Sequence, residues 1–367
     1  MAQIYTSNLI GIKESVVDEF LLLNHYQIPL LSALGFSPEI ANTTHEWNED
    51  EMFAKSDPAN NAAPILAGDL TFTVTDGTKF RIGHVISAEG SDELMLITNV
   101  VGNVLTITRA YQGTVAAGFP DGTEIHIEWI QGLEGADARD ARYKSRTNVY
   151  NYTQIFDETI EISGTAEAVA QYGVDNEYTK EQMKKLEELA WQLENALING
   201  RLYSVGTDKK MKGIRSFIAT NVTNGGGVDI TEDMINSMVQ DVWDSGGLKN
   251  GGRFVFMMGP TQKRMVSKLF SSDIIVPHQD TIRGLTVESL RTDFGTYPIM
   301  VNDNLRSTEV FFTDLNRMYV KPLRGRNWFH TYMGKTGDKM KGQIVGEFTL
   351  EFRQEKAHSR LYNLDTS

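Results

Sequence analysis

The chain has 367 residues, 41% of them hydrophobic and 23% charged, the make-up of a folded protein of two or three domain-sized units rather than a disordered one. It contains no cysteine, which excludes disulfides, thiolate metal centres and cysteine nucleophiles and fits a reducing cytoplasm. The formal charge of −13 argues against tight sequence-specific nucleic-acid binding, which needs basic surface, but not against a surface that merely encloses nucleic acid.

The first residues, MAQIYTSNLIGIKESVVDEF, lack a basic stretch followed by an apolar one and do not read as a secretory signal. No apolar run is long enough to cross a bilayer. The sequons at Asn42, Asn151 and Asn221 are then chance matches. Ile12 to Asn24 has a helical apolar rhythm, and Pro29 ends any helix. NTTHEWNEDEMFAK is polar and acidic, with Trp47 and Phe53 as its large apolar groups. SDPANNAAP, Ser56 to Pro64, reads as a linker by composition.

From Gly68 to Trp129 the pattern changes to short alternating runs: LTFTVT, RIGHVISA, ELMLITNV, VLTITRAY and TEIHIEW. Asp76–Gly77, Gly102–Asn103 and Asp121–Gly122 punctuate them, the signature of antiparallel hairpins. Five such strands predict a small β domain set inside a longer excursion.

Lys144 to Gly164 predicts a long extended arm with a turn at Ser163–Gly164, followed by a long two-faced helix. Asp175 is placed to cap the helix, and Glu177 sits where the helix dipole favours an anion. The predicted apolar stripe is Met183, Leu186, Ala190, Leu193 and Leu197, widened by Leu189 and Ala196. Lys184, Lys185, Glu187, Glu188, Glu194 and Asn195 form the polar face, and Gly200 is read as a left-handed stop. Burying the large groups of the stripe is worth about 8–12 kcal/mol before entropy. An arm and a helix of this kind need something to pack on, and another copy of the chain is the natural candidate.

A basic, glycine-punctuated loop and IRSFIATN follow, then a hinge-like NGGGVD. Thr231 caps a second helix with Met234, Ile235, Met238 and Val242 on one side. RFVFMMG is a nearly continuous apolar strand, and Pro260 opens a third helix that MVSKLF closes. LTVESLRT, GTYPIMVN, EVFFTD and MYVKP read as strands, and GQIVGEFTLEFRQEKAHSRLYNL as one long strand with a short tail. The alternation predicts a mixed α/β layer apart from the long helix.

Catalytic motifs fail on inspection. His45–Glu46 opens a zinc-protease pattern, but Glu49 takes the second histidine position. Glu49, Asp50 and Glu51 lack the spacing of a calcium loop. Gly334–Lys335–Thr336 resembles the end of a phosphate-binding loop, but Phe329 stands where its first glycine belongs. Gly225 to Gly227 is a flexible turn, and no GxSxG occurs. Charge is uneven: residues 157–199 hold ten acids and three bases, net −7, and residues 317–341 hold seven bases and one acid, net +6. These are two solvated faces or two complementary patches between subunits.

The ordered segments LLLNHYQIPLLSALG, NTTHEWNEDEM, RTNVYNYTQIFDETIEISGTAEAV, ENALINGR, MKGI, FGTYPIMVND and GEFTLEFRQEKAH resemble the major capsid proteins of tailed bacteriophages, with the Hong Kong-97-type shell fold. The resemblance covers most of the chain outside the β insertion. It implies an α+β fold with an amino-terminal arm (1–42) and an extended loop (43–162) carrying the β domain at 64–131. It further implies a peripheral domain (163–228) with a spine helix at 175–199, a mainly axial domain (229–322), and carboxy-terminal strands (323–367) shared by both. No scaffold-length segment precedes the arm, so an internal scaffold domain is not expected.

The function implied is that of a shell subunit, with no catalytic, cofactor or metal residues. It self-assembles into hexamers and pentamers of an icosahedral or prolate head around double-stranded DNA. Expected partners are the chain itself, portal, scaffolding and decoration proteins, and DNA enclosed without specificity, with no membrane. The place is the virion, with assembly in the bacterial cytoplasm. Trp47, Asp50, Arg146, Tyr150, Tyr152, Phe156, Arg317, Arg324 and Arg326 are the candidate contacts between subunits. Two alternatives stay open at this point: an encapsulin-like compartment shell, and a glycan-binding surface protein acting through the β insertion.

Overall fold

The computed structural model describes residues 26–132, 134–168, 176–248, 251–269, 288–335 and 337–366. The helix expected at Ile12–Asn24, the cap at Asp175, the end of the third helix at Phe270 and the start of LTVESLRT lie outside them. The chain divides into two compact units: residues 48–147, and residues 1–47 with 148–367.

In the unit of residues 48–147, six antiparallel strands run in the order Ser56–Pro58, Glu124–Ile130, His84–Ala88, Leu94–Val101, Val104–Thr108 and Thr71–Thr73. Ser56–Pro58 lies in the stretch expected to be a linker. It is a strand because its outer edge meets the other end of the sheet. Ala59 bridges Val74, Asn60 N–H donates to Thr73 O at 2.8 Å, and Thr75 N–H donates to Pro58 O at 3.1 Å. Closure of this kind removes the exposed edges that short strands leave. Alternate side chains point inward, so Phe72, Ile86, Met95, Ile97, Leu105, Ile107 and Ile125 fill the interior. The turn Gly102–Asn103 joins its strands with Val101 opposite Val104, as its residue types predict.

Among the described residues the larger unit has two sheets of four or more strands. In the first, the long strand Lys339–Phe352 is central. Gln154–Ser163 pairs along one side of it, and Phe329–Lys335 and Met318–Pro322 share the other. The spine helix, Glu177–Asn199, packs on Gln154–Ser163 and on the central strand. Leu189, Leu193 and Leu197 enter one core with Phe156, Ile160, Ile344 and Phe348. The second sheet runs Val222–Asn224, Ser359–Tyr362, Val310–Asp314, Phe254–Met258, Gly295–Val301 and Glu288–Thr292, with mixed pairing.

The apolar run in RFVFMMG has a physical reason. Phe254, Phe256 and Met258 point into a second core with the helix Glu232–Asp244, whereas Val255 and Met257 point into the spine-helix core. Both faces of the strand are covered, so every residue from Phe254 to Met258 is buried. Asn151 is fully buried and Asn221 nearly so, which leaves neither open to a glycosylating enzyme.

Two features of the spine helix depart from expectation. Asn176 caps its start, its side chain accepting from Thr179 N–H at 3.1 Å. Gly200 at its end is not left-handed, with φ −55°. Glycine is needed there because a Cβ would lie 2.5 Å from Ala196 O and 2.6 Å from Met211 O. Gly213 crosses at the same point and donates to Gly200 O at 3.0 Å. The helix stops where two bare backbones touch.

Candidate functional site

Among the described residues no cluster of His, Asp and Glu is arranged to hold a metal ion. The organised polar chemistry of the larger unit holds extended segments in place. Glu194, assigned to the polar face by sequence, is fully buried. Its carboxylate accepts from Leu30 N–H at 2.9 Å, Leu31 N–H at 2.7 Å and Asn302 Nδ2–H at 2.6 Å. It thereby fixes the short helix Pro29–Leu34 of the arm to the spine. Burial pushes its pKa up to about 7, against the three N–H donors that favour the ion. Along the same stretch of the arm Tyr26 meets Trp191 in a tilted contact at 5.2 Å, and Phe36 stacks on Phe348 at 5.1 Å. The backbone of Ser37 and Ile40 donates to Val320 O and Pro322 O.

A second knot holds the strand Thr44–Glu49. Glu351 is buried and takes hydrogen bonds or ion pairs from His45, Lys321 and Arg353. Burial alone would raise the Glu351 carboxyl, but these partners outweigh it and hold the group at about 2. The histidine that opened the failed zinc pattern therefore serves as a tether.

The candidate contact residues divide. Trp47 is buried against His45 and Phe217, and Phe156 is buried against Trp328 and Phe348, so both complete their own subunit. Arg317 donates to Gly247 O and lies 3.5 Å from Asp314, and Arg326 pairs with Glu347 at 2.7 Å. Arg324 has an exposed side chain. Tyr150 is 44% exposed and meets Tyr152 edge-on at 5.6 Å, with Lys209 over the Tyr152 ring. Asp50 and Arg146 form an exposed pair at 3.3 Å.

The acidic and basic segments, read as possible patches between subunits, meet within one chain. Lys339 and Lys341 reach Glu161, Gln343 reaches Asp157, and Lys335 reaches Glu167. The register that sets Gln154–Ser163 against Lys339–Phe348 dictates this pairing.

Apolar surface remains open elsewhere. Met183 and Leu186, the first half of the predicted stripe, are 58% and 41% exposed. They lie in line with Leu193 and Leu197 but beyond the cover that Leu30 and Leu31 give. The hairpin Tyr203–Val205 and Asp208–Lys210 exposes Tyr203 and Val205 beside Leu202. The outer edge of Gln154–Ser163 carries no strand among the described residues. A two-stranded hairpin with bare apolar groups and a ten-residue strand edge that no described strand covers are surfaces of the kind on which another chain can pack.

Comparison with known proteins gives the same direction. No curated protein matches the chain by sequence. The capsid of Myoviridae phage XM1 superposes with a TM-score of 0.53 at 14% identity, covering 99% of each chain. The capsid of the native GTA particle superposes at 0.51 and 9% identity over 97% of each chain, and Mycobacterium phage Bobi at 0.50 and 10% over 100% of each. At such identities the likeness is one of fold, the α+β Hong Kong-97-type capsid fold that the segment order implies. The family model described as SU10 major capsid protein matches residues 3–365. With capsid architecture and a family match over nearly its whole length, the chain belongs to the SU10 major capsid protein family.

Proposed function

We propose that this capsid protein builds the head of a tailed phage from hexamers and pentamers closed around double-stranded DNA. The observation that carries the proposal is unfinished packing among the described residues of the larger unit: the exposed Met183 and Leu186, the bare hairpin at Tyr203–Val205, and the edge of Gln154–Ser163 that no described strand covers. Identical subunits joined head to tail close into rings when the rotation between them closes, and many moderate contacts then sum to a stable shell.

In this reading residues 1–42 are the amino-terminal arm and 43–162 the extended loop, with the β unit as its insertion. Residues 163–228 belong to the peripheral domain, 229–322 mainly to the axial domain, and 323–367 to both. Tyr150, Tyr152, Arg324, Asp50 and Arg146 remain candidate contacts with neighbours. The subunit has no catalytic step to perform. Portal, scaffolding and decoration proteins are its further partners, and assembly takes place in the host cytoplasm before the virion forms.

The test is to express the full chain and image it by negative-stain electron microscopy alongside sedimentation. Rings, tubes or shells are expected. A chain that stays monomeric across salt, pH and concentration, alone and with the proteins encoded beside it, sinks the proposal.

A further inference from the structure

The β unit gathers three arginines, none of them ion-paired among the described residues, although Asp140 lies between two of them in sequence. Arg81, Arg139 and Arg142 lie close enough to His84 for their charges to act on it; His84 is 5% exposed and its Nδ1 is buried without a hydrogen-bond partner. Each arginine is positioned by a backbone carbonyl. Arg81 donates to Asp140 O at 3.1 Å, Arg142 to Lys79 O at 2.9 Å, and Arg139 to Gln131 O. Arg142 also lies 4.1 Å over the Phe53 ring, and the Arg139 guanidinium lies against Gly83.

Among the described residues none of the three forms an ion pair with a carboxylate, whereas nearby Lys79, Lys144 and Arg146 pair with Asp57, Glu51 and Asp50. Burial and the charge of Arg81 both lower the Arg142 pKa, and no acid offsets them. Burial first, then the charges of Arg142, Arg81 and Arg139, hold His84 down to about 4, so its ring is neutral at pH 7.

Like charges gathered around a half-satisfied buried ring are unfavourable unless something negative joins them. We propose that Arg81, Arg139, Arg142 and His84 form a binding site for a tetrahedral oxyanion, a phosphate or sulfate group. The guanidinium forks keep most of their N–H donors free of protein partners. Three forks offer more donors than the two oxygens of a carboxylate can accept, and a phosphate matches them better. The group can be a free ion or a phosphodiester of enclosed nucleic acid.

The test titrates the unassembled full chain calorimetrically with inorganic phosphate, with acetate at matched ionic strength, and with a short DNA duplex. Arg139→Gln with Arg142→Gln should weaken phosphate binding about tenfold or more. Lys144→Gln with Arg146→Gln removes the same charge from the same segment and should leave it within about twofold. Duplex binding lost in the first variant and kept in the second would assign the oxyanion to nucleic acid. Free phosphate behaving in that way would assign it to the ion. In the unaltered chain the His84 ring resonances must shift on phosphate titration. The site is refuted if acetate binds as tightly as phosphate, or if both double variants lose equally. It is also refuted if neither phosphate nor duplex binds, or if His84 stays silent.

Discussion

Glu194→Gln sets two large effects against each other. In the folded chain three N–H groups converge on the Glu194 carboxylate. A glutamine keeps one oxygen and turns an NH2 toward a fellow donor. Asn302 is unable to turn round to help, because its Oδ1 already accepts from Asn304 N–H at 2.9 Å. Counting hydrogen bonds alone, the variant loses about 2–3 kcal/mol. Burial works the other way. The folded-state pKa is raised from 4.5 to about 7, so the protonated acid is the form the fold favours at low pH. That contribution is fully present below pH 4.5 and is lost as pH rises through about 7. The rise corresponds to about 3 kcal/mol, and the protonated acid is the close analogue of glutamine. The expected result is a variant as stable as the parent near pH 4.5 and more stable by about 3 kcal/mol at pH 8. Urea unfolding of the unassembled subunit at the two pH values, read as midpoint and slope, measures it. A variant less stable than its parent at pH 8 would mean that the three donors outweigh desolvation, and would refute the reasoning.

His358 is buried with its ring tilted against Phe352 at 4.2 Å, its Nδ1 accepting from Asp314 N–H and its Nε2 next to Arg353 O, and burial holds it down to about 3. Its contribution is present above the unfolded value of 6.5 and is lost toward pH 3 at about 1.4 kcal/mol per pH unit; His358→Gln should flatten that part of an acid-unfolding profile. Gly213→Ala places a Cβ 2.6 Å from Gly200 N and 2.8 Å from Ala196 O and Leu197 O, so it should cost at least about 2 kcal/mol in urea. Met183→Ser with Leu186→Ser should change subunit stability by less than about 1 kcal/mol yet lower particle yield in sedimentation, because both groups are exposed. Raising salt from about 0.1 M to about 1 M shortens the screening length from ~10 Å to ~3 Å and should promote assembly of subunits of formal charge −13, as followed by light scattering; weaker assembly would restore the ion-paired interface.

What could be read from sequence was local. The turn at Gly102–Asn103 depends on two residue types, and the run Phe254–Met258 on covered faces, so pattern alone located both. What escaped depends on distant partners. Glu194 lies between Ala190 and Ile198 at helical spacing, a hint that its side is covered, but its partners Leu30 and Asn302 are more than a hundred residues away. Ser56–Pro58 has the composition of a linker and becomes a strand only because the barrel closes through Ala59 and Val74. A glycine ending a helix suggests a left-handed stop at Gly200, but its reason is the glycine that crosses it. Charge counts along the chain could not reveal that Lys339 and Glu161 sit on paired strands.

The buried acids of the larger unit share one arrangement that suits a shell subunit. Glu194 ties the arm to the spine helix, Glu351 ties His45 to Lys321 and Arg353, Glu347 joins Thr153 to Arg326, and Glu309 joins Arg215 to Arg360. Each clamps segments far apart in sequence. The ion pairs of Glu351, Glu347 and Glu309 add little net stability over apolar packing, but removing one partner is costly, so they are better at holding one geometry than at deepening the fold. A monomeric enzyme tolerates small differences in how an arm lies. A shell repeats every contact many times, and an arm that lies differently in one copy spoils the contacts of its neighbours. In the proposed shell the polar interior would fix shape, and the apolar surface left at Met183, Leu186, Tyr203 and Val205 would supply cohesion between copies. Of the two readings open for the charged segments, the pairing of Lys339 with Glu161 inside one chain disfavours patches between subunits, so cohesion among subunits of net charge −13 would fall to apolar surface in the proposed shell.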